Sequence, residues 1–321
     1  MPSNAIIRRF LTISMVVGLF VLVTALAPFL TVAGGAVDLI RLATRHKSWV
    51  TLRSLAFLWV YLLGEIWALL ALLATVALPR ATKLEVTFRL QQRWAGWNLK
   101  ALQTLFQLQL VVEGAEVARP GPIVVLSRHA SMIDTLLPAT IVSRPSGLRL
   151  RYVLKRELLA DPALDIAGSR LPNVFVDRAS GDSSEREAIR RLVSDLGARD
   201  GALIYPEGTR FSEAKLERIR RRTDSGPEVA GLRKVLPPRP GGTLAILETT
   251  DADVVVLAHH GLEGLATARE IWAGDLVGSR IHVRMWRIER AKIPTSRSER
   301  VQWLYDLWSE IDDWVVSMGA G

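Results

Sequence analysis

The chain has 321 residues, no cysteine and a formal net charge of +9. The lack of cysteine excludes disulfides, thiolate metal ligands and a cysteine nucleophile. The five histidines do not have the spacing of a zinc site, and the basic residues are not interleaved with aromatics as in nucleic-acid modules. We therefore expect neither a bound metal ion nor a nucleic-acid partner.

Two long apolar runs lie near the N-terminus. Phe10–Val37 carries no charged residue, and Ser54–Pro79 carries only Glu65. Both runs exceed the roughly 20 residues that a helix needs to cross a bilayer. We predict a helical hairpin over residues 1–80 that anchors in the membrane, either by spanning it and returning or by lying in one leaflet. A cleaved signal peptide is the weaker interpretation, because the first run is too long.

Basic residues beside these runs favour contact with anionic lipid headgroups, so membrane phospholipids are predicted partners. Glu65 is costly in lipid, and it either contacts another helix or has a functional role. Residues 81–107 are amphipathic and rich in aromatic side chains. This pattern predicts a linker helix along the membrane surface or leading into the next domain.

From residue 108 onward, short apolar runs bounded by turn signals predict strands. The predicted strands are Leu108–Val112, Ile123–Leu126, Tyr152–Leu154, Val174–Val176, Ala202–Tyr205, Val254–Ala258 and Ile281–Trp286. The predicted helices follow Ser131, cover 184–197, lie within 213–235, cover 241–249 and end the chain with Trp303, Trp308 and Trp314. Alternation of strands and helices predicts an α/β domain over residues 108–321, with a mostly parallel sheet flanked by helices.

His129 and Asp134 follow the predicted strand Ile123–Leu126, where Ser131 is a plausible N-cap of the next helix. The ends of strands are where α/β folds place functional side chains. A histidine can act as a general base near neutral pH, and an aspartate bonded to its other ring nitrogen would orient it. The spacing lets the two meet, although a structural histidine beside an aspartate at a helix start gives the same pattern.

The segment Tyr205–Arg210 ends another predicted strand in a loop that contains glycine. The amides at Gly208, the Thr209 hydroxyl and the Arg210 guanidinium together suit a phosphate. Glu207 could accept a hydrogen bond from a substrate hydroxyl or orient Arg210. Taken alone, this segment is better explained as a strand-to-loop turn with a surface ion pair.

Two more polar clusters lie in the predicted domain. Phe175–Arg178 ends an apolar strand, and Pro237–Gly242 forms a rigid turn before a helix whose N-terminus could hold an anion. The ends of parallel strands converge on one edge of a sheet. One base with several arginines implies an anionic substrate whose hydroxyl is deprotonated. No serine elbow or P-loop is present, so the simplest chemistry is a transfer without a covalent enzyme intermediate.

In their order along the chain, these segments resemble the motifs of the glycerolipid acyltransferase family. The matching segments are His129–Asp134, Lys155–Leu159, Val174–Arg178 and Pro206–Arg210. The apolar hairpin before them is also usual in that family. A further set is similar to the branch with lysocardiolipin and lysophosphatidylinositol acyltransferases: Gly231–Leu232, Leu236–Gly242, Ile281–Arg284 and Trp308–Asp312.

The resemblance implies that a fatty acyl group passes from acyl-CoA or acyl carrier protein to the free glycerol hydroxyl of a lysophospholipid. The expected acceptor is 1-acyl-sn-glycerol 3-phosphate, which would give phosphatidic acid. His129 would be the base and Asp134 its partner, without a cofactor. The residues expected to bind the acceptor are Arg178, Glu207, Gly208, Thr209, Arg210 and Lys155. We predict that the catalytic domain lies on the cytoplasmic face of the membrane.

Two residues depart from the family motifs. Arg128 stands where asparagine is usual and would add a cation beside the base, and Tyr205 replaces a phenylalanine. Three alternatives therefore stay open. They are an acyltransferase with another acceptor, an inactive membrane lipid-binding protein of the same fold, and a hydrolase that uses the same base to activate water.

Overall fold

The computed structural model describes residues 4–44, 49–177, 183–221, 226–263 and 268–319. The described helices are α1 (Ala5–Ala25), α2 (Ala27–Ala43), α3 (Val50–Ala74), α4 (Arg80–Phe106), α5 (Arg144–Ser146), α6 (Pro162–Arg170), α7 (Ser183–Val193), α8 (Glu213–Arg220), α9 (Pro227–Ala230), α10 (Pro240–Leu247), α11 (Ala268–Ala273) and α12 (Arg297–Gly319). The strands are β1 (Gln109–Glu113), β2 (Ile123–Ser127), β3 (Arg149–Lys155), β4 (Val174–Val176), β5 (Asp200–Ile204), β6 (Asp253–His260) and β7 (Arg280–Ile288).

The chain forms two compact units. The first contains Met1–Gln109, Lys155–Asn173 and Ala268–Ser279, and the second contains Leu110–Leu154, Val174–Thr267 and Arg280–Gly321. The predicted division into residues 1–80, 81–107 and 108–321 stays a prediction, because contacts within a unit follow packing as well as chain order.

Apolar helices dominate the first unit. Helices α1 and α3 contain 21 and 25 residues and are long and apolar enough to cross a membrane. The first apolar run is not one continuous helix, since it divides at Leu26 into α1 and α2. Pro28 explains the division, because proline has no amide hydrogen and its ring clashes with the carbonyl four residues before it.

Polar contacts join the helices of this unit. Asp38 of α2 is buried and accepts the amide hydrogens of Thr51 and Leu52 at 2.9 Å each, which satisfies donors at the start of α3. Glu65 is buried and accepts a hydrogen bond of 2.8 Å from the indole of Trp94. Glu65 of α3 therefore contacts another helix, α4, as one of its two interpretations predicted.

The second unit is built on a sheet with the strand order β1-β7-β6-β2-β5-β3-β4. Strand β2 lies between β5 and β6 and is parallel to both, β3 is parallel to β5, and β7 is antiparallel to β6. The predicted α/β fold, with a mostly parallel sheet flanked by helices, is confirmed. Every residue of β2 and β5 is buried, which agrees with the apolar residues Ile123–Leu126 and Ala202–Ile204 within them.

Some element boundaries differ from the sequence prediction. The helix predicted over 184–197 ends at Val193, and the stretch 213–235 contains the two short helices α8 and α9. The segment after Ser131 begins as a 3-10 turn at Ile133–Leu136 and continues as a π-helical turn at Pro138–Ser143. Pro138 cannot donate to the preceding turn, so a regular α-helix does not pass through it.

The ion pairs of Asp165 test the packing of the first unit. Its buried carboxylate accepts from Arg8 at 2.8 Å and from Arg9 at 2.9 Å. Asp165→Asn leaves the largely buried Arg8 without a compensating charge, and we expect a loss of about 3 kcal/mol of stability. Thermal unfolding in detergent micelles measures the loss, with the exposed pair variant Glu85→Gln as the control. Equal unfolding temperatures for the two variants would contradict this assignment.

Candidate active site

The sheet brings three strand ends together. Leu126 of β2 lies beside Ile204 of β5 and beside Val256 of β6. Because these strands are parallel, the residues that follow each one meet at the same edge of the sheet. That edge holds His129 after β2, Glu207 after β5, and His259 near the end of β6.

His129 and Asp134 are in direct contact. Nδ1 of His129 lies 2.9 Å from Oδ1 of Asp134, and the aspartate side chain is fully buried. The other oxygen of Asp134 accepts the amide hydrogens of Ala130 at 2.6 Å and Ser131 at 2.7 Å. The turn between the two residues is thereby folded around the carboxylate that orients the histidine.

Asp134 is held in its charged form. Burial opposes this charge, but the neighbouring His129 and the contacts with His259 outweigh burial and hold the pKa of Asp134 well below its ordinary value. A carboxylate can only accept, so Nδ1 of His129 donates its hydrogen to Asp134. Nε2 is then the basic nitrogen. Within the described residues it makes no hydrogen bond, and the side chain is 13% exposed.

His259 is a member of the site that the sequence analysis did not select. Its ring is fully buried, with Nε2 3.2 Å from the carbonyl oxygen of Arg128 and 3.4 Å from Oδ2 of Asp134. His259 therefore completes the set of donors around the aspartate. A signal for it exists in the sequence, because the buried run Val254–Ala258 ends directly before this histidine.

Glu207 is also buried at this edge. Its Oε1 accepts the amide hydrogen of His129 at 2.8 Å, and its Oε2 accepts that of Leu236 at 3.0 Å. Burial raises the pKa of Glu207 to about 7, against the opposing charge of Arg128 and the two amide bonds. Both oxygens thus face backbone amides, and they tie the loop after β2 to the loop after β5.

The side chain of Arg128 is fully buried, and its positive charge opposes the effect of burial on the pKa of Glu207. Its guanidinium donates to the carbonyl oxygens of His259 at 2.5 Å and Lys234 at 2.6 Å, and pairs with Glu263. Burial opposes the charge of Glu263, but the pairing with Arg128 outweighs burial and lowers the pKa of Glu263 to about 2. Arg128 is a structural connection between three segments.

The remaining predicted residues have different positions. Gly208, Thr209 and Arg210 follow Glu207 in one loop, where Lys215 donates to the Thr209 hydroxyl at 3.1 Å and to the Arg210 carbonyl at 2.7 Å. Lys155 ends β3 and belongs to the first compact unit. Arg178 lies outside the described residues.

The Tyr205 ring contacts the His129 ring, with the two centroids 4.6 Å apart. Gly208 has a φ of +72°, a left-handed conformation that glycine adopts without strain.

Within the described residues, no group of histidine, aspartate and glutamate side chains could hold a metal ion. The arrangement is that of a histidine held by a buried aspartate at the carboxyl edge of an α/β sheet.

Part of this domain is similar to known proteins. Residues 109–258 match the family model described as Acyltransferase. The fold is shared with the crystal structure of the 1-acyl-sn-glycerophosphate acyltransferase PlsC from Thermotoga maritima. That match has a TM-score of 0.59 and 18% identity, and covers 84% of this chain and 96% of that chain.

Two named relatives align with part of this chain. Lysocardiolipin acyltransferase 1 of Mus musculus is 24% identical over 249 residues, covering 74% of this chain and 64% of that protein. The 1-acyl-sn-glycerol-3-phosphate acyltransferase of Pseudomonas aeruginosa is 30% identical over 150 residues, covering 46% of this chain and 54% of that protein. The chain thus spans less than two thirds of the length of these relatives.

The amide contacts of Glu207 predict a stability loss. Glu207→Leu keeps a side chain of similar size but leaves the amides of His129 and Leu236 without acceptors, and it leaves the buried charge of Arg128 less compensated. A buried amide without a partner costs about 1–3 kcal/mol, so we expect a clearly lower unfolding temperature. The exposed Glu217→Leu is the matched control. An unchanged unfolding temperature for Glu207→Leu would show that these bonds contribute nothing.

The charge of Asp134 predicts a pH dependence of stability. Its pKa is lower in the folded protein than in the unfolded chain, so its stabilising effect is present above about pH 4 and decreases as the pH falls further. Asp134→Asn removes this contribution, and its unfolding temperature should fall less than that of the wild type between pH 5 and pH 3. Thermal scans across this range, with the exposed Asp306→Asn as control, measure the difference. Parallel curves would contradict the low pKa.

Proposed function

We propose that the chain is an O-acyltransferase that transfers a fatty acyl group from acyl-CoA or acyl carrier protein to the free glycerol hydroxyl of a lysophospholipid. We propose 1-acyl-sn-glycerol 3-phosphate as the acceptor. The observation that carries the proposal is the contact of 2.9 Å between Nδ1 of His129 and the buried Asp134. The match to the family model and the name of the Pseudomonas aeruginosa relative support the reaction type.

The proposed reaction has one base and no covalent enzyme intermediate. Nε2 of His129 takes the proton of the acceptor hydroxyl while the oxygen attacks the thioester carbonyl. The C–S bond then breaks, the thiolate leaves, and the imidazolium returns the proton to the sulfur. Asp134 stabilises the imidazolium between these steps. A positioned general base typically contributes 10²–10⁴-fold to the rate.

The acceptor's phosphate is assigned to the loop after β5 and its neighbours. We propose that Arg178, Gly208, Thr209, Arg210 and Lys155 contact the phosphate and glycerol of the acceptor. For Glu207, we propose indirect participation in binding. Its two oxygens already accept amide hydrogens, so it positions the loop that carries His129 and the loop that follows it.

Access to lipid substrates would come from the first compact unit. The lengths and apolar sequences of α1 and α3 fit membrane association. We propose that these helices anchor the chain to phospholipid and that the catalytic domain faces the cytoplasm. An acceptor could then reach the site from the membrane surface without passing through water.

A second acceptor class has specific support. The mouse relative is named for lysocardiolipin, and it aligns over a larger part of this chain than the bacterial relative does. A lysophospholipid that carries a larger headgroup is therefore the alternative acceptor. The chemistry at His129 would be the same with either acceptor.

Substitution of His129 tests the proposal. His129→Ala should reduce acyl transfer by at least about 100-fold, because it removes the general base. The assay follows labelled acyl-CoA in membranes with a panel of lysophospholipids, and His282→Ala is the control in the same unit. Membrane association should stay near that of the wild type, and thermal unfolding confirms that each variant is folded at the assay temperature.

The same assay separates the alternatives. Near-normal transfer by His129→Ala would contradict the mechanism. Release of fatty acid without an acceptor would indicate a hydrolase. Lack of CoA release by the wild-type protein with every acceptor would indicate a lipid-binding protein of this fold.

A further inference from the structure

A cleft of about 240 Å³ lies next to the histidine base in the second unit. Tyr205, whose ring contacts His129, forms part of its wall. Two cationic side chains, Arg186 of α7 and Arg239, also line the cleft, together with Glu185. The Glu185 carboxylate accepts the backbone amide of Asp177 at 2.5 Å. The deeper wall is apolar and consists of Val153, Val176, Ile189 and Ile204.

The loop that carries Arg239 is fixed in place by two buried carboxylates. Asp312 of α12 accepts the amide hydrogens of residues 233–235 at distances between 2.5 and 3.0 Å. Glu207 accepts the amide of Leu236. The amide of Arg239 itself donates to the carbonyl oxygen of Pro206 at 2.8 Å. Because its backbone is held in this way, Arg239 is presented to the cleft by a preorganised loop.

The side chain of Arg239 lies across Gly208. Its Cδ, Nε and Cζ atoms are 3.0, 3.3 and 3.6 Å from the position that a Cβ on residue 208 would occupy. The exposed guanidinium has no hydrogen bond or ion pair within the described part of the chain. Arg128, Arg151 and Arg233 of the same unit differ, because each is paired with a carboxylate. A fixed but unpaired guanidinium keeps its donors available for a ligand.

We propose that Arg239, with Arg186, forms an anion subsite for a substrate phosphate beside His129. The inference rests on the proposed acyl transfer and adds residues to its binding site. A guanidinium binds phosphate oxygens through charge-assisted hydrogen bonds, often two at a time. The apolar wall accommodates the hydrocarbon part of the same substrate. The phosphate belongs either to the lysolipid acceptor or to the acyl donor.

Steady-state kinetics of the full chain in lipid vesicles tests the subsite. We expect Arg239→Gln to raise the KM for one substrate on the order of 10-fold or more, which is the loss expected for one charge-assisted hydrogen bond. Arg239→Lys should retain part of the affinity. Arg191→Gln, which removes an exposed arginine from the same helix as Arg186, is the matched control. Thermal unfolding of each variant confirms folding.

The substrate whose KM rises identifies the source of the phosphate. A rise for lysophosphatidate that is absent for monoacylglycerol assigns the subsite to the acceptor. A rise for acyl-CoA alone assigns it to the donor, and both outcomes support the subsite. Unchanged KM values for both substrates in a folded, active Arg239→Gln would overturn it. Inactivity of the wild-type protein would instead reject the proposed function.

Discussion

A carboxylate can remain charged in a protein interior only where hydrogen-bond donors replace the water that it loses, and Asp134 meets this condition with four neighbours. Two backbone amides, the ring of His129 and the ring of His259 surround its oxygens. The turn after β2, the orientation of the base and the contact with β6 all depend on this one buried charge. The proposed chemistry uses the nitrogen of His129 that the charge leaves available.

Other buried carboxylates around the site also accept hydrogen bonds from backbone amides. Glu207 holds the amides of His129 and Leu236, and Asp312 holds the amides of the loop that leads to Arg239. Glu207 and Asp312 thus hold neighbouring amides of one loop, although the two carboxylates lie far apart in the sequence. Arg128 adds a buried cation that donates to two backbone carbonyl oxygens. Loops at this edge of the sheet are therefore held by several buried hydrogen bonds, and in the proposed reaction such preorganisation lowers the reorganisation needed for catalysis.

The sequence predicted those features that depend on local pattern. Short apolar runs located β2, β5 and β6, and the spacing of His129 and Asp134 indicated their contact. Contacts between segments that are distant in the sequence could not be predicted from local pattern. Glu207 reaches an amide 78 positions earlier in the chain, and nothing local distinguishes that role from binding a substrate. The partners of the Arg128 side chain could not be predicted for the same reason, since they lie more than 100 positions away. The helix break at Leu26 is caused by Pro28. The sequence analysis did not predict it, because the apolar composition is the same on both sides of the break.

In the proposed reaction, His129 deprotonates the acceptor directly, without an acyl-enzyme. Rapid mixing of the wild-type protein with labelled acyl-CoA in the absence of acceptor distinguishes direct transfer from a covalent intermediate. Direct transfer predicts no burst of free CoA and no label on the denatured protein. After acceptor is added, one CoA should appear for each acylated lipid. A stoichiometric burst of CoA together with covalently labelled protein would contradict it.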